Sequence, residues 1–294
     1  APGEAGEVLF TVNSLGETGG FQAVFTLANN DPAPDGDSHL EVVISASVIN
    51  LNGPTAHYPM DETSGTEMRD VTGFGRAGTY DESVVLGEAG LAGGSAMRVT
   101  GGAKAMLNGR KFDEGTFDEF SVSLWFQADD VAPTGTLIAT GLDNNPVFAL
   151  LVNAGELNWF VDANSDFVTT GAGLEASTAH HAVVTYSTDE TIIYVDGERK
   201  GDGITAIPAL DGSEQITIGA FGPLGFSGSI DDIQIYKRVI SPNDVQFLLA
   251  NPGTELGTTG PIDSDGDGLT DEDEVNIHQT EPLIADTDGD SLSD

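Results

Sequence analysis

The chain has 294 residues, of which 48 are acidic and 10 are basic, so its formal net charge is −38. This excess of negative charge argues against nucleic acid or an anionic membrane as a partner and makes cations the natural counterpart. The absence of cysteine excludes disulfides, zinc–thiolate sites and cysteine nucleophiles. No apolar run is long enough to span a membrane, whereas a hydrophobic content of 39% is enough for a packed core.

The N-terminal 52 residues contain three runs with the character of strands, namely Val8–Val12, Phe21–Leu27 and Leu40–Ile49. We predict that residues 1–52 form a separate β module or the tail of an upstream domain. Because two or three strands are only marginally stable alone, we expect this segment to pair with another part of the protein or to self-associate. The first residues lack the features of a signal peptide, so we expect a mature product or an internal piece of a longer chain.

The region from residue 53 to 250 consists mainly of short β-branched or alternating runs separated by glycine, asparagine, aspartate and proline. Many short strands with turn signals, and almost no helical periodicity, predict an all-β, antiparallel jelly-roll sandwich. The predicted strands are Ser121–Phe126, Val147–Val152, Leu157–Val161, His181–Tyr186, Thr191–Val195, Gln215–Ile218 and Ser229–Tyr236.

Two hairpin turns and one helix are predicted in the same region. Thr188–Glu190 joins two of the strands, and Asp196-Gly197 is a dipeptide typical of tight hairpin turns. A short helix should follow Ser241, which can serve as its N-cap, with Pro242 at the first helical position.

Five blocks of this region occur in the order typical of one family of jelly rolls. They are His57–Thr66, Asp70–Thr79, Phe120–Phe126, His180–Tyr186 with Ile193–Gly197, and Phe226–Tyr236. In this order they resemble the laminin-G-like domain of the concanavalin A-like lectin/glucanase superfamily, and the resemblance implies the jelly-roll fold. One departure is Ala179, where the family commonly has tryptophan, so no aromatic role is expected at that position.

The resemblance also implies a candidate metal site. Jelly rolls of this superfamily often hold a structural calcium where an early loop meets the last strand, which suggests Asp70 and Asp232 as ligands. The alternative is that both are ordinary loop and surface acids.

We predict no catalytic residues. Glucanases of this superfamily carry E-x-D-x-x-E on one strand, which places alternate carboxylates on one face, and that run is missing from the sequence. The sequence also lacks a G-x-S-x-G elbow. Gly73–Gly78 matches G-x-G-x-x-G, but no strand precedes it and no helix follows, so we predict a surface loop rather than a dinucleotide site.

Histidine and tryptophan are also expected to have structural roles. His180 and His181 alternate along a predicted strand, so one should face the core and the other solvent. Trp125 and Trp159 lie in strands with the alternation of buried faces, and we expect them in the core rather than as platforms for sugar stacking.

The most specific motif lies near the C-terminus, where twelve residues fit the calcium-loop pattern D-x-D-x-D-G-x5-E at every specified position. Calcium prefers oxygen ligands, and a glycine at the sixth position, here Gly268, permits the sharp turn that the loop requires. The predicted ligands are the side chains of Asp263, Asp265, Asp267, Asp271 and Glu274 and the backbone carbonyl of Leu269.

A second and weaker loop begins 23 residues later (286 − 263) and stops before its twelfth position, with Ser291 in place of the turn glycine. The two loops resemble thrombospondin type 3 and dockerin-like calcium repeats, which implies Ca2+ as the cofactor. The alternative is a solvated, disordered acidic tail. The ligands predicted in the second loop are Asp286, Asp288, Asp290, Leu292 and Asp294.

The sequence therefore predicts a β segment at 1–52, a jelly roll at 53–250, a linker at 251–262 and truncated calcium repeats at 263–294. Fold alone does not supply function. Our leading hypothesis is a secreted or cell-surface, non-catalytic binding and adhesion module for a glycan or an extracellular protein, with the repeats as a calcium-stiffened stalk. The alternatives are a structural subunit of an extracellular fibre or surface layer, and an accessory part of a polysaccharide-degrading enzyme.

Overall fold

The structure is a computed structural model. It describes residues 21–29, 42–50, 53–107, 119–142, 145–161, 166–171, 173–205, 207 and 215–257. The chain divides into two units, Ala1–Leu256 and Gly257–Asp294.

The first two described strands form a hairpin. Strand β1 (Phe21–Asn29) pairs antiparallel with β2 (Val42–Asn50) without a break in register, from Phe21 opposite Asn50 to Asn29 opposite Val42. Both strands agree with the apolar runs predicted there. The third predicted run, Val8–Val12, lies outside the described residues.

The other strands form two larger sheets that are antiparallel except for one short β10–β19 pairing. They are β3 (Ala56–Tyr58), β4 (Glu67–Met68), β5 (Gly78–Tyr80), β6 (Val85–Ala89), β7 (Ser95–Val99), β8 (Ala105–Leu107), β9 (Glu119–Ala128), β10 (Gly135–Leu142), β11 (Asn145–Asn153), β12 (Glu156–Val161), β13 (Asp166–Thr169), β14 (Ala179–Ser187), β15 (Thr191–Val195), β16 (Glu198–Gly203), β17 (Gln215–Ile218), β18 (Ala220–Phe221), β19 (Leu224–Gly225) and β20 (Gly228–Tyr236).

The order of the strands is that of a jelly-roll sandwich. The ten-stranded sheet runs β13-β12-β11-β10-β17-β8-β5-β4, with β19 paired to both β10 and β18. The eight-stranded sheet runs β16-β15-β14-β9-β20-β7-β6, with β3 added to β20. Strands that follow one another in sequence change sheet several times, so the two sheets are closed around a shared interior.

The main core lies between the two sheets because their strands alternate in the direction of their side chains. On β12, Leu157, Trp159 and Val161 are buried, whereas the intervening residues are partly exposed. The Trp159 ring stacks on Phe148, with 4.7 Å between ring centroids. The prediction that Trp159 belongs to the core is therefore confirmed.

A second, smaller core covers the outer face of the eight-stranded sheet. Helix α1 (Pro242–Ala250) contributes Val245 and Leu248, which cluster with Val183 of β14 and with Leu256 beyond the helix. Because both faces of β14 are covered in this way, its residues from His180 to Tyr186 are all buried.

The predicted start of α1 is confirmed. Ser241 is the N-cap, Pro242 occupies the first turn, and a capping box links Ser241 to Asp244. The backbone N–H of Asp244 donates to Ser241 Oγ at 3.1 Å, and the N–H of Ser241 donates to Asp244 Oδ2 at 2.8 Å. Over the described part of the chain, no helix has the length and hydropathy needed to cross a membrane.

The predicted Asp-Gly turn is also present, between β15 and β16. Asp196 has φ of 50° and Gly197 has φ of 78°. Two consecutive positive φ values are the signature of the type I′ turn that matches the twist of a hairpin.

Candidate functional site

The calcium loops predicted at the C-terminus lie outside the described residues. Their ligand assignments stay a prediction from the sequence, and the oxygen donors at alternate positions fit a calcium ion in chemistry and spacing. The residues concerned are Asp263, Asp265, Asp267, Leu269, Asp271, Glu274, Asp286, Asp288, Asp290, Leu292 and Asp294.

Asp70 organises the loop that follows β4. Its Oδ1 accepts hydrogen bonds from the backbone N–H of His57 at 3.3 Å, and from the backbone N–H and hydroxyl of Thr72 at 3.1 and 2.7 Å. Its Oδ2 accepts from the backbone N–H of Arg76 at 2.8 Å. The carboxylate therefore replaces the secondary-structure hydrogen bonds that this loop lacks. The Gly73–Gly78 motif follows in the same loop and ends at the first residue of strand β5, and no helix follows it.

Asp232 lies at an irregularity of β20, where the strand shifts register between Asp231 and Gln234, and it has φ of 45°. Its Oδ1 is 2.7 Å from Nε2 of His57, and its Oδ2 accepts from the backbone N–H of Gly253 at 3.1 Å. Asp232 is 4% exposed. Burial alone would raise the pKa of this carboxyl, but the hydrogen bond and charge of His57 lower it below its usual value.

His57 connects this carboxylate to a second one. Its Nδ1 lies 2.8 Å from Oε1 of Glu255, so each ring nitrogen faces a carboxylate. Burial alone would lower the pKa of His57, but the hydrogen bonds and charges of Asp232 and Glu255 outweigh it and raise the pKa to about 9. The ring is therefore an imidazolium at neutral pH and donates from both nitrogens.

The structure thus brings Asp70 and Asp232 to the same residue, His57, the first at its backbone N–H and the second at its ring. Protein donors already satisfy both carboxylates, and within the described ranges no cluster of three or more His, Asp or Glu has the arrangement of a metal site. A calcium ion at this place would have to replace those donors. The role of Asp70 and Asp232 as ligands stays a prediction.

The two adjacent histidines are both buried, so the prediction that one of them faces solvent is wrong. His180 is 7% exposed and its Nδ1 lies 2.7 Å from Oδ2 of Asp196, whereas His181 is 1% exposed and its Nε2 lies 2.8 Å from the Ser123 hydroxyl. The reason is the cover over the outer face of β14, which the sequence pattern does not reveal. Burial lowers the pKa of His181 to about 4, so its ring is neutral at pH 7.

Trp125 differs from Trp159 and does not join the main core. It points to the outer face of the eight-stranded sheet, where it is partly exposed and lies beside His181 with 5.0 Å between ring centroids. The expectation of a core position is therefore wrong for Trp125.

An aromatic pair on the other sheet was not predicted from the sequence. Phe160 of β12 and Phe167 of β13 are opposite each other in the ladder, with ring centroids 5.8 Å apart and planes at 51°. Phe167 is 64% exposed. Phe160 follows the buried Trp159 directly, so the alternation of side chains along a strand predicts that Phe160 faces outward. Its pairing with Phe167 depends on strand register.

Comparison with known families supports the predicted order of a jelly roll followed by C-terminal repeats. Residues 100–246 match the family model of the concanavalin A-like lectin/glucanases superfamily, and residues 263–283 match that of the bacterial TSP3 repeat. No curated protein sequence matches the chain significantly.

Three solved structures illustrate the shared fold. Domain 4 of AbnA, an extracellular arabinanase of Geobacillus stearothermophilus in complex with arabinotriose, is 19% identical with a TM-score of 0.55, over 67% of this chain and 99% of that domain. Trypanosoma rangeli sialidase in complex with sialic acid is 15% identical with a TM-score of 0.53, over 69% and 33%. The receptor binding domain of the botulinum neurotoxin C/D mosaic serotype is 15% identical with a TM-score of 0.53, over 67% and 51%.

The chain matches only about a third of the sialidase and half of the toxin domain. At such identities, these likenesses establish the fold alone. The superfamily model, however, covers half of the chain, and the strand order agrees with it. The chain belongs to the concanavalin A-like lectin/glucanase superfamily.

Proposed function

We propose that this protein is a non-catalytic, extracellular module that binds a glycan, and that its C-terminal repeats form a calcium-stiffened spacer. The observation that supports this most is the aromatic pair on the outward face of a jelly-roll sheet, formed by the exposed Phe167 and the partly exposed Phe160. Large exposed aromatic side chains commonly mark binding surfaces. The structures similar to this fold include an arabinanase domain in complex with arabinotriose and a sialidase in complex with sialic acid.

The environment of the three described histidines argues against a catalytic role for them. His57, His180 and His181 are buried, and each makes a hydrogen bond to another side chain of the protein. A general acid or base must reach the proton that it transfers, directly or through one water molecule. None of these three side chains lies on an open surface.

The boundary between the binding module and the spacer is proposed to follow Leu256. Glu255 and Gly253 bond to residues of the jelly roll, and Leu256, 4% exposed, belongs to the second core. The spacer would then comprise a short linker and the calcium loops from residue 263. Calcium sites of the extracellular type are loaded near millimolar calcium, which fits a secreted or cell-surface location.

A glycan array probed with the purified full-length chain, with and without calcium, tests the proposal. We expect the chain to bind at least one glycan class without cleaving its glycosidic bonds. Titration calorimetry on the glycans that bind should give a saturable isotherm. An array and calorimetry without any saturable binding would overturn the proposed function, as would release of reducing sugar by the purified chain.

The hairpin at residues 21–50 favours a second candidate, which is assembly into a fibre or surface layer. Among the described residues, β1 and β2 pair only with each other. A two-stranded sheet is marginal alone, and its edges can accept a strand from another copy. Sedimentation velocity at constant calcium tests this candidate. Polymers that grow with protein concentration, and that disappear when residues 1–52 are removed, would support assembly.

A further inference from the structure

We propose that Phe160 and Phe167 form the floor of a subsite for a neutral oligosaccharide on the outward face of the ten-stranded sheet. This inference rests on the proposed glycan-binding function and adds the place of the site and the class of sugar that it takes.

The position of the two rings supports stacking with a sugar. Phe160 and Phe167 occupy paired positions on β12 and β13, so both project from the same side of the sheet. The opposite side of β12 packs into the main core through Trp159, which fixes the strand beneath the rings. The polarised C–H groups on one face of a pyranose or furanose ring can pack against the negative face of an aromatic ring. Burying this apolar surface would also be favourable by itself.

Polar groups lie beside the rings at a suitable spacing. Asn158 precedes Phe160 by two residues, so it lies on the same face about 7 Å along the strand, opposite Thr169 of β13. The Asn158 Nδ2 group has no hydrogen-bond partner among the described residues, and an unpaired amide N–H is unfavourable. This nitrogen is buried although the residue as a whole is partly exposed, so the amide must rotate before it can donate to a sugar hydroxyl.

The charge of this surface selects the class of sugar. Strands β10, β11, β12, β13 and β17 contain no lysine, arginine or histidine, whereas Glu156 lies on the outward side of β12. Two cations, Arg199 and Lys200, lie on β16, which meets β13 at Gly201, but carboxylates of the protein already pair with both. A sugar with a carboxylate would have to compete with these pairs and would be repelled by a chain of net charge −38. The surface therefore fits a neutral oligosaccharide better than a sialylated or uronic one.

The test compares two exposed phenylalanines of the full-length chain. Phe167→Ala removes the proposed floor, and Phe247→Ala removes a phenylalanine of α1 that is 39% exposed and lies outside the subsite. The probes are arabinotriose, cellotriose and xylotriose as neutral sugars, and sialyllactose and trigalacturonate as acidic ones, measured by calorimetry and by saturation-transfer NMR.

We expect at least one neutral trisaccharide to bind. Phe167→Ala should weaken its binding by about tenfold, which corresponds to the loss of roughly one aromatic contact, and Phe247→Ala should leave the affinity unchanged. Asn158→Ala should weaken binding less than Phe167→Ala. Phe167→Leu keeps the apolar side chain but removes the ring, so it should also lose affinity if Phe167→Ala proves difficult to fold.

Each other outcome overturns the inference in a distinguishable way. If a neutral sugar binds the wild type and Phe167→Ala equally, the subsite is wrong while the binding function stands. Loss of binding in Trp125→Phe alone would move the site to the eight-stranded sheet. Preferred binding of an acidic sugar would overturn the class. A concentration-dependent dimer that Phe167→Ala abolishes, without sugar binding, would make the pair a self-contact. Failure of all probes and of the glycan array would overturn the site and the proposed function together.

Discussion

His57 and Asp232 form a buried ion pair, with 2.7 Å between Nε2 and Oδ1, that joins the first strand of the jelly roll to the last. The same imidazole holds Glu255, and the same carboxylate accepts from the backbone of Gly253. One cation therefore ties β3, β20 and the segment beyond α1 together. Three charges in a buried cluster are stable only while all of them are present, because each removes the cost of burying the others.

The first prediction concerns removal of this cation. His57→Gln leaves Asp232 and Glu255 facing each other without a positive charge, so we expect the free energy of unfolding to fall by about 3 kcal/mol or more. Urea unfolding of the full-length chain in calcium measures the change. Arg199→Gln breaks an exposed ion pair with Glu190 and serves as the control, which should unfold close to the wild type. A His57→Gln protein as stable as the control would show that the cluster does not stabilise the fold.

The same pair predicts a loss of stability in alkaline solution. The pKa of His57 is about 9 in the folded protein against an ordinary value of 6.5, so folding favours the protonated ring. This contribution is complete below pH 6.5 and disappears as the pH rises through 9, with a total on the order of 3 kcal/mol. Melting temperatures from pH 6.5 to 9.5 should therefore fall in the wild type and remain flatter in His57→Gln. Equal slopes in the two proteins would contradict the assignment.

The opposite behaviour is expected of His181 in acid. Burial lowers its pKa to about 4, so the neutral ring is favoured in the folded state, and its contribution is present above pH 6.5 and is lost as the pH falls through 4. Burial also raises the pKa of Asp231 to about 6, which opposes part of this loss because the folded state then takes up a proton. The direct measurement is NMR titration of the ring protons of His181. A midpoint near 6.5 would contradict its burial.

The sequence was most informative where local pattern determines structure. The runs of β-branched residues at Thr191–Val195 and Gln215–Ile218 coincide with β15 and β17, and the cap at Ser241 begins α1. Strand β16, Glu198–Gly203, is polar and rich in glycine, so nothing local predicts it. It forms because β15 offers an open edge, and pairing of this kind depends on the tertiary structure.

In the candidate site, too, local sequence predicts some features, whereas others depend on the tertiary structure. Alternation on β12 is sufficient to predict that Phe160 faces away from Trp159, but its neighbour Phe167 is fixed by the register of β13. The burial of both His180 and His181 depends on cover from distant segments of the chain. The contact between His57 and Glu255 joins residues 198 positions apart, and no periodicity predicts it.

A prediction about packing follows from Gly201, where the edge strands of the two sheets meet. A Cβ on Gly201 would lie 2.4 Å from the backbone oxygen of Thr169, which cannot move without displacing β13. We expect Gly201→Ala to destabilise the protein by about 1–3 kcal/mol. Gly173 is the matched control, because a Cβ there has no atom within 4 Å. Calorimetric melting should show a lower midpoint for Gly201→Ala only. Similar midpoints for the two variants would mean that the strands do not approach so closely.

The last prediction concerns the calcium loop at residues 263–274. Without metal, its five carboxylate ligands repel one another, whereas bound calcium neutralises them and closes the loop, so binding and ordering occur together. If the dissociation constant is about 0.1–1 mM, as in extracellular modules, about 10 mM calcium adds roughly 1.4–2.7 kcal/mol of local stability per site. Asp265→Ala or Glu274→Ala should lower calcium affinity and keep these residues mobile in NMR relaxation measurements.

The loop also supplies its own control. Asp273 occupies the eleventh position, which provides no ligand in the pattern, so Asp273→Ala removes one charge but should leave calcium affinity nearly unchanged. None of the three variants should shift the melting of the jelly roll, because every residue of its described core precedes residue 257. Calorimetry without calcium binding at millimolar concentrations, or an equal loss of affinity in Asp273→Ala and Asp265→Ala, would show that the segment attracts calcium only through its total charge.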